Sequence, residues 1–339
     1  MKTIHSNFNH KKYKAFKAVT IKQRQWPDNV LQQAPQWCSV DLRDGNQALV
    51  HPLSVAQKMT LFKLLLEVGF KEIEVGFPSA SQADYDFVRN LIEGNHIPDD
   101  VTIAILTPAR EAFIKRSFQA LKGVKQAIVH LYNSTSKIQR EQVFNTDKAG
   151  ITKIAVDAAK VVKNCAESQP ETDWRFQYSP ESFTATELDY AIEICNAVNE
   201  VWKPTAENPV ILNLPSTVEM SMPNIYADQI EWFGKHIAHR DGVIISVHTH
   251  NDRGCAVAAA EMAVLAGAQR VEGTLLGNGE RTGNMDIITM AMNCYSQGID
   301  PQLDLANIQT IAQQVSDLIQ IAIHPRHPYI GDLVYSIFR

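Results

Sequence analysis

His248 and His250 stand one residue apart in HTHND, at the end of the apolar run VIISV. In an extended strand residues i and i+2 project to the same face, so the two imidazoles lie side by side, a geometry a divalent metal can use. With one carboxylate from elsewhere they give three protein ligands and leave positions open for substrate, as a catalytic metal requires. Asp44, in DLRDGN after the first apolar run, is the best-placed carboxylate, although a turn-capping role also fits it. Asp252 shares the face of the two histidines but falls past the expected strand end. Arg43, next to Asp44, offers a fixed cation to a carbonyl oxygen that becomes negative during reaction, or an ion-pair partner to Glu74. Glu181, closing FQYSPE, is a general acid or base in one reading and an exposed helix-start residue in the other. GNGERTGN (277–284) looks like a glycine-rich anion cradle, but its spacing fits neither the dinucleotide nor the P-loop pattern.

The elements that must position these residues are legible from Trp37 onward. Eight short apolar runs, WCSVDLRDG, KEIEVGFP, VTIAIL, QAIVHLY, WRFQYSPE, PVILNLPST, VIISVHTHND and RVEGTLLGNGE, each end in polar or glycine-containing clusters, with helical spacing between them. Val55, Met59, Phe62 and Leu66 fall on one helical face. Thr184 with Glu187 forms a capping-box pattern ahead of Leu188, Ala191, Cys195 and Val198. Strands of this kind alternating with helices predict an α/β fold, a (β/α)8 barrel over 37–325. A doubly wound sheet is the alternative, but no GxGxxG follows the first strand. Active sites of such barrels lie at the C-terminal ends of the strands. The run endings therefore define one pocket: Arg43 and Asp44; Glu74; Leu106 and Thr107; His130 and Tyr132; Ser179 and Glu181; Asn213 and Thr217; His248 and His250; Asn278, Glu280 and Asn284.

Residues 1–36 carry seven Lys or Arg against one acid, Asp28, and read as an extended arm packed on the barrel or on a neighbouring subunit, or as a solvated tail. The 339 residues carry a formal net charge of -5, with a pI near 6.1, which gives no global basic field for nucleic acid or an anionic membrane. No apolar run approaches the ~20 residues of a membrane helix. No apolar block follows the early lysines, so a secretory signal is not expected. Five scattered cysteines without CxxC spacing suit reduced thiols and a cytoplasmic setting.

LRDGNQ, EIEVGFP, HTHND and GNGERTGN together resemble the metal-dependent Claisen-condensing barrel family that includes 2-isopropylmalate synthase, homocitrate synthase, citramalate synthase and 3-hydroxy-3-methylglutaryl-CoA lyase. WCSVDLRDGNQAL, VGFPSASQADYDFVR, VHLYNSTS, FQYSPESF, NLPSTVE and RHPYIGDLVYS are similar to the long-form synthases of 2-isopropylmalate within it. The resemblance spans nearly the whole chain from Trp26. It implies that Asp44, His248 and His250 bind a divalent ion (Mg, Mn or Zn), with Asn284 in or near its shell. A monovalent activator such as K+ is the second cofactor it implies. Arg43 would lie over a ketone oxygen; Thr217, His130 and Ser179 would hold a 2-oxoacid carboxylate, with Glu74 grouped among the substrate-binding residues. Leu106 would border a branched side chain, and Glu181 would take part in proton transfer. Acetyl-CoA and 2-oxoisovalerate are the implied substrates, in the first committed step of leucine biosynthesis, and a homodimer the implied assembly. A related synthase, a lyase running the reverse cleavage, or a silent partner subunit are the alternatives.

In the resembled family the segment after DLVYSIF continues into Ser-Gly-Ser-His, whose histidine belongs to the catalytic machinery. Residues 326–339 are accordingly expected to be the start of a linker subdomain. The chain is expected to bind metal and ketoacid, to condense poorly and to ignore leucine.

Overall fold

The computed structural model describes residues 10–338; residues 1–9 of the expected arm and Arg339 of the expected stub lie outside the described residues. Among the described residues, parallel strands β1 (Gln36–Ser39), β2 (Glu72–Gly76), β3 (Thr102–Pro108), β4 (Gln126–Ser134), β5 (Asp173–Glu181), β6 (Val210–Ser216), β7 (Val243–Thr249) and β8 (Arg270–Gly273) pair in chain order. β8 closes onto β1, with Gln36 opposite Arg270 and Ser39 opposite Gly273. The eight expected strands are all present, and the fold is the (β/α)8 barrel rather than the doubly wound sheet.

The connecting helices are the single turn α1 (Asp44–Gln47), α2 (Val55–Val68), α3 (Gln82–Glu93), α4 (Glu111–Ala120), α5 (Lys148–Glu167), α6 (Leu188–Trp202), α7 (Pro223–His236) and α8 (Ala256–Leu265), with α9 (Ile287–Ser296) and α10 (Ile308–Ile319) after β8. Leu61, Phe62, Phe87, Ile103, Val129 and Leu212 belong to the apolar layer between strands and helices. That layer takes one face of every strand, which is why the runs read as nearly continuous aliphatics. The other face fills the barrel. Near the N-terminal end it is apolar, with Ala104, Ile128 and Ile211 packed against Ile244. Alternate positions further along are polar, and the fully buried Arg270 sits among them. Its Nε donates to Glu72 at 2.5 Å, and its Nη1 donates to Glu272 at 2.7 Å and to Ser246 at 2.8 Å.

Three local expectations change. β1 stops at Ser39 because the chain folds back on itself: Ser39 Oγ donates to Asp41, and Asp41 accepts the Leu275 amide at 3.1 Å. Asp44 consequently opens α1 instead of ending a strand. On α2, Val55, Met59 and Leu66 are only partly buried, and Lys58, Leu61, Phe62, Leu65 and Val68 make the inner face. Lys58 belongs there because it pairs with Asp84. The Thr184–Glu187 capping box does not form, since Glu187 accepts Arg140 at 2.8 Å and Thr184 donates to the Val218 carbonyl. A capping box forms instead between Ser54 and Gln57 at the start of α2, which ends on Gly69 at φ +104°.

Ahead of β1, Arg24 pairs with Asp228 at 2.6 Å, the amides of Gln25 and Trp26 donate to Glu231, and Asn29 donates to the Leu265 carbonyl. These described residues of the arm thus lie on α7 and α8 of their own chain. After α10, His327 pairs with Asp286 at 2.6 Å and Tyr329 donates to Asn293, returning the chain to α9. The five cysteines are free thiols. No described helix is long and apolar enough to cross a membrane.

Replacing Arg270 by Met leaves the buried carboxylates of Glu72 and Glu272 with only Arg175 at 3.7 Å and His248 at 2.8 Å, respectively, as cationic partners, and should destabilise the protein by about 3–5 kcal/mol in urea unfolding; a loss below ~1 kcal/mol would contradict the pairing. Burial pushes the Asp41 carboxyl up to about 7, against the Ser39 hydroxyl and Leu275 amide that pull it down. Because the folded value lies above the unfolded one, the carboxylate form opposes folding. The cost is absent below about pH 4, grows as pH rises, and is complete above about 7, on the order of 4 kcal/mol. Asp41→Asn should therefore flatten the fall in stability across that window, measured by denaturant titration at each pH. An unchanged slope would assign it elsewhere.

Candidate active site

β7 carries His248 as its penultimate residue, and His250 follows one step past its end. The register sets His248 opposite Pro215 of β6 and Glu272 of β8. Asp44 reaches the same point from α1: its Oδ2 lies 3.3 Å from His248 Nε2 and 3.2 Å from His250 Nε2, and all three residues are buried. The two rings stand 5.1 Å apart at 83°. On the far side, His248 Nδ1 donates to Glu272 at 2.8 Å and His250 Nδ1 donates to the Thr217 carbonyl at 2.6 Å. A carboxylate and a carbonyl only accept, so these partners direct both Nε2 atoms into one volume with Asp44. Asn284 Oδ1 meets it 2.6 Å from His248 Nε2. One carboxylate oxygen and two imidazole nitrogens within 4.8 Å of one another fit a borderline or hard divalent cation.

The charges explain why the cluster holds. Burial alone would raise the Asp44 carboxyl; Arg43, and then the hydrogen bonds from His248 and His250, outweigh it and hold the group well below the usual carboxylate range. Burial opposes a proton on His248, but Asp44 and Glu272 lift it to about 9. A cation at Nε2 would compete with that proton. Arg43 donates to Asp44 at 2.8 Å and through Nε to Glu74, so its guanidinium is fixed between two carboxylates.

A cavity of about 190 Å³ opens over these groups, lined by Arg43, Asp44, Leu106, His130, Tyr132, Ser179, Glu181, Asn213, Thr217, His248, His250 and Glu280, with Gln47, Phe77 and Pro215. His130 Nε2 lies 2.7 Å from Ser179 Oγ, which also accepts Asn213 Nδ2 at 3.0 Å. Glu181 accepts the Ser134 hydroxyl, and its backbone carbonyl accepts Thr135. Leu106 and Phe77 supply apolar wall. The arrangement pairs a cation-binding corner and a buried guanidinium with hydroxyl, amide and imidazole groups suited to an organic acid.

Some expected residues stand elsewhere. Glu74 does not line the cavity; it is fully buried, with one oxygen on Arg43 and the other 2.6 Å from His130 Nδ1. Asp252 is no ligand, because Arg281 holds it at 2.6 Å. Thr107 and Asn278 do not reach the cavity, and Asn278 donates to the Gly45 carbonyl. In GNGERTGN the amides of Asn284 and Gly283 turn inward, to the Gly277 and Glu280 carbonyls. Gly283 is required there: at φ +92° an added Cβ would lie 1.8 Å from the Gly277 carbonyl oxygen. Glu272 was not anticipated, and its signal was a charge inside RVEG where a strand interior should be apolar. Glu74, His130 and Glu272 also lie within 4.8 Å of one another. Arg43 and Arg270 neutralise that group and its donor atoms already have partners, so it is an ion-pair network.

Comparison with known proteins agrees with the geometry. Residues 34–315 match the HMGL-like family model. The chain is 58% identical over 327 residues to 2-isopropylmalate synthase of Ralstonia nicotianae, covering 96% of this chain and 57% of that protein. It is 60% identical over 328 residues to that of Pseudomonas savastanoi pv. phaseolicola, covering 97% and 59%, and 60% identical over 332 residues to that of Alcanivorax borkumensis, covering 98% and 59%. It thus spans somewhat more than half the length of these curated relatives. Among solved structures, HMG-CoA lyase of Pseudomonas aeruginosa superposes with a TM-score of 0.69 at 18% identity, over 87% of this chain and 96% of that one. HMG-CoA lyase of Bacillus subtilis gives 0.68 at 19%, with the same coverage; at these identities the likeness is one of fold. The family model covers the barrel from the residues before β1 into α10, with Asp44, His248 and His250 included, and the chain belongs to the HMGL-like family.

Proposed function

We propose that this barrel condenses acetyl-CoA with 2-oxoisovalerate to give 2-isopropylmalate. The observation that carries the reading is the convergence of Asp44, His248 and His250 beside the buried Arg43, at the mouth of a cavity with one apolar wall. The names of the relatives, at 58–60% identity, support the same choice.

Asp44, His248 and His250, with Asn284 beside them, would hold the divalent ion, Mg, Mn or Zn. When bound, that ion supplies Lewis-acid polarisation of a ketone. Arg43 is placed to stabilise the negative charge that grows on the ketone oxygen, from a guanidinium already fixed and therefore needing no rearrangement. Thr217 binds the carboxylate end of the acid, Ser179 and His130 form its surroundings, and Leu106 limits the branched end. Glu181, held by Ser134 at the cavity wall, serves proton transfer during enolisation of the acetyl group. The new carbon–carbon bond forms between that enolate carbon and the ketone carbon, and hydrolysis of the thioester releases CoA. A homodimer in the cytoplasm, acting in leucine biosynthesis, is the setting this reading gives the protein.

CoA release measured with 2-oxoisovalerate, pyruvate and 2-oxoglutarate, with K+ present or omitted, tests the assignment. 2-Oxoisovalerate should be turned over best, and a clear preference for another acid, or cleavage of a hydroxyacyl-CoA instead, would replace the proposed reaction. His250→Ala should abolish Mn2+ binding and condensation together. Glu181→Gln should leave ketoacid binding within about twofold and slow turnover by ~10² to 10⁴; equal losses in binding and rate would move Glu181 out of proton transfer.

A further inference from the structure

Glu74 reaches none of the cavity, yet both its oxygens are committed to groups that do: Arg43 on one side and His130 Nδ1, at 2.6 Å, on the other. Burial favours the neutral acid, but Arg43 and then His130 outweigh it and keep Glu74 ionised. An ionised carboxylate only accepts, so His130 carries a proton on Nδ1 and turns Nε2 to Ser179 Oγ, 2.7 Å away. Asn213 Nδ2 donates to the same oxygen at 3.0 Å, its amide oriented by Glu272, which accepts from it at 3.2 Å. Ser179 Oγ thus meets two partners inside the protein, and its residue also lines the cavity.

We propose that Glu74 is a positioning residue for the acid bound in the cavity: through His130 it fixes the hydrogen-bonding direction of the Ser179 hydroxyl. The proposal rests on the 2-oxoacid reading above. Its physical content is a choice of tautomer. With a carboxylate at position 74 the imidazole proton is held at Nδ1. With an amide there, the amide oxygen stays on Arg43 and its NH2 faces Nδ1, which must then accept. The ring proton moves to Nε2, and the Ser179 hydroxyl is reoriented without any change of shape.

The test combines two measurements on the Mg2+-loaded protein. 15N spectra of histidine-labelled protein should show His130 protonated at Nδ1, and at Nε2 alone in Glu74→Gln. The wild type, Glu74→Gln, Ser179→Ala and the double variant are then titrated with 2-oxoisovalerate, pyruvate and 2-oxoglutarate, following whichever acid the wild type binds most tightly. Glu74→Gln turns the Ser179 proton from Nε2 toward the cavity and should tighten binding of that acid's carboxylate about 10-fold, and the Ser179→Ala background should abolish this change. Mn2+ affinity should be the same in all four proteins. A wild-type His130 without a proton on Nδ1, or an effect of Glu74→Gln that persists unchanged in the Ser179→Ala background, would overturn the proposal. The wild-type spectrum needs no substitution, so it decides the matter even if Glu74→Gln fails to fold. Tightest binding of pyruvate or 2-oxoglutarate would remove the named condensation and leave the role of Glu74 standing; failure to bind any 2-oxoacid would remove both.

Discussion

A closed ring of polar contacts inside the barrel is the constraint on which the rest of the site depends. From Glu272 it passes to His248, Asp44, Arg43, Glu74, His130, Ser179 and Asn213, and returns to Glu272. Six strands and the turn after β1 each contribute a member, while β3 contributes the apolar Leu106. Taking so many charges out of water is costly, and the arrangement is tolerable because each negative oxygen faces a cation or a donor. Arg270 below the ring adds the second cation that two extra carboxylates need.

The ring also explains how a site can be both buried and accurate. Most of its members sit on strands, whose backbones are fixed by parallel ladders on both sides. Side chains so held lose little freedom when a ligand arrives, which is the condition for stabilising charge that appears only during reaction. The residues nearest the opening, Glu181, Thr217 and Glu280, come instead from strand ends and loops. Glu181 accepts from Ser134 across the paired ends of β5 and β4, and Thr217 accepts the Ser182 amide.

Much of this was legible in the residues. The strands were readable because one face of each packs aliphatics against the helices and each run ends in a polar cluster, and the pocket list because barrel topology brings strand ends together. The errors have local causes. Asp44 was placed on a strand because nothing in SVDLRD announces that Asp41 folds back to the amide of Leu275. Thr184 and Glu187 had the spacing of a cap, but Arg140, from a segment more than forty residues earlier, claims the carboxylate. Glu74 was assigned to the cavity because a charged residue near a strand end ordinarily faces ligand; in this barrel the interior is itself ionic. Arg270 and Glu272 were passed over for the same reason, since periodicity says which face a residue takes and not what the opposite wall offers it.

The two histidines are backed differently, and that has a chemical consequence. Behind His248 stands a full negative charge, the carboxylate of Glu272; behind His250 stand the neutral oxygen of Thr217 and the guanidinium of Arg281, which donates to that oxygen and lies 2.8 Å from His250 Nδ1. The carboxylate pushes more electron density into its ring than the carbonyl does, so toward a cation held as proposed His248 would be the stronger donor and His250 the weaker. A pair that looks symmetrical in HTH would be a lopsided grip, firmer on the side of the Glu272 carboxylate than on the side of the Thr217 carbonyl.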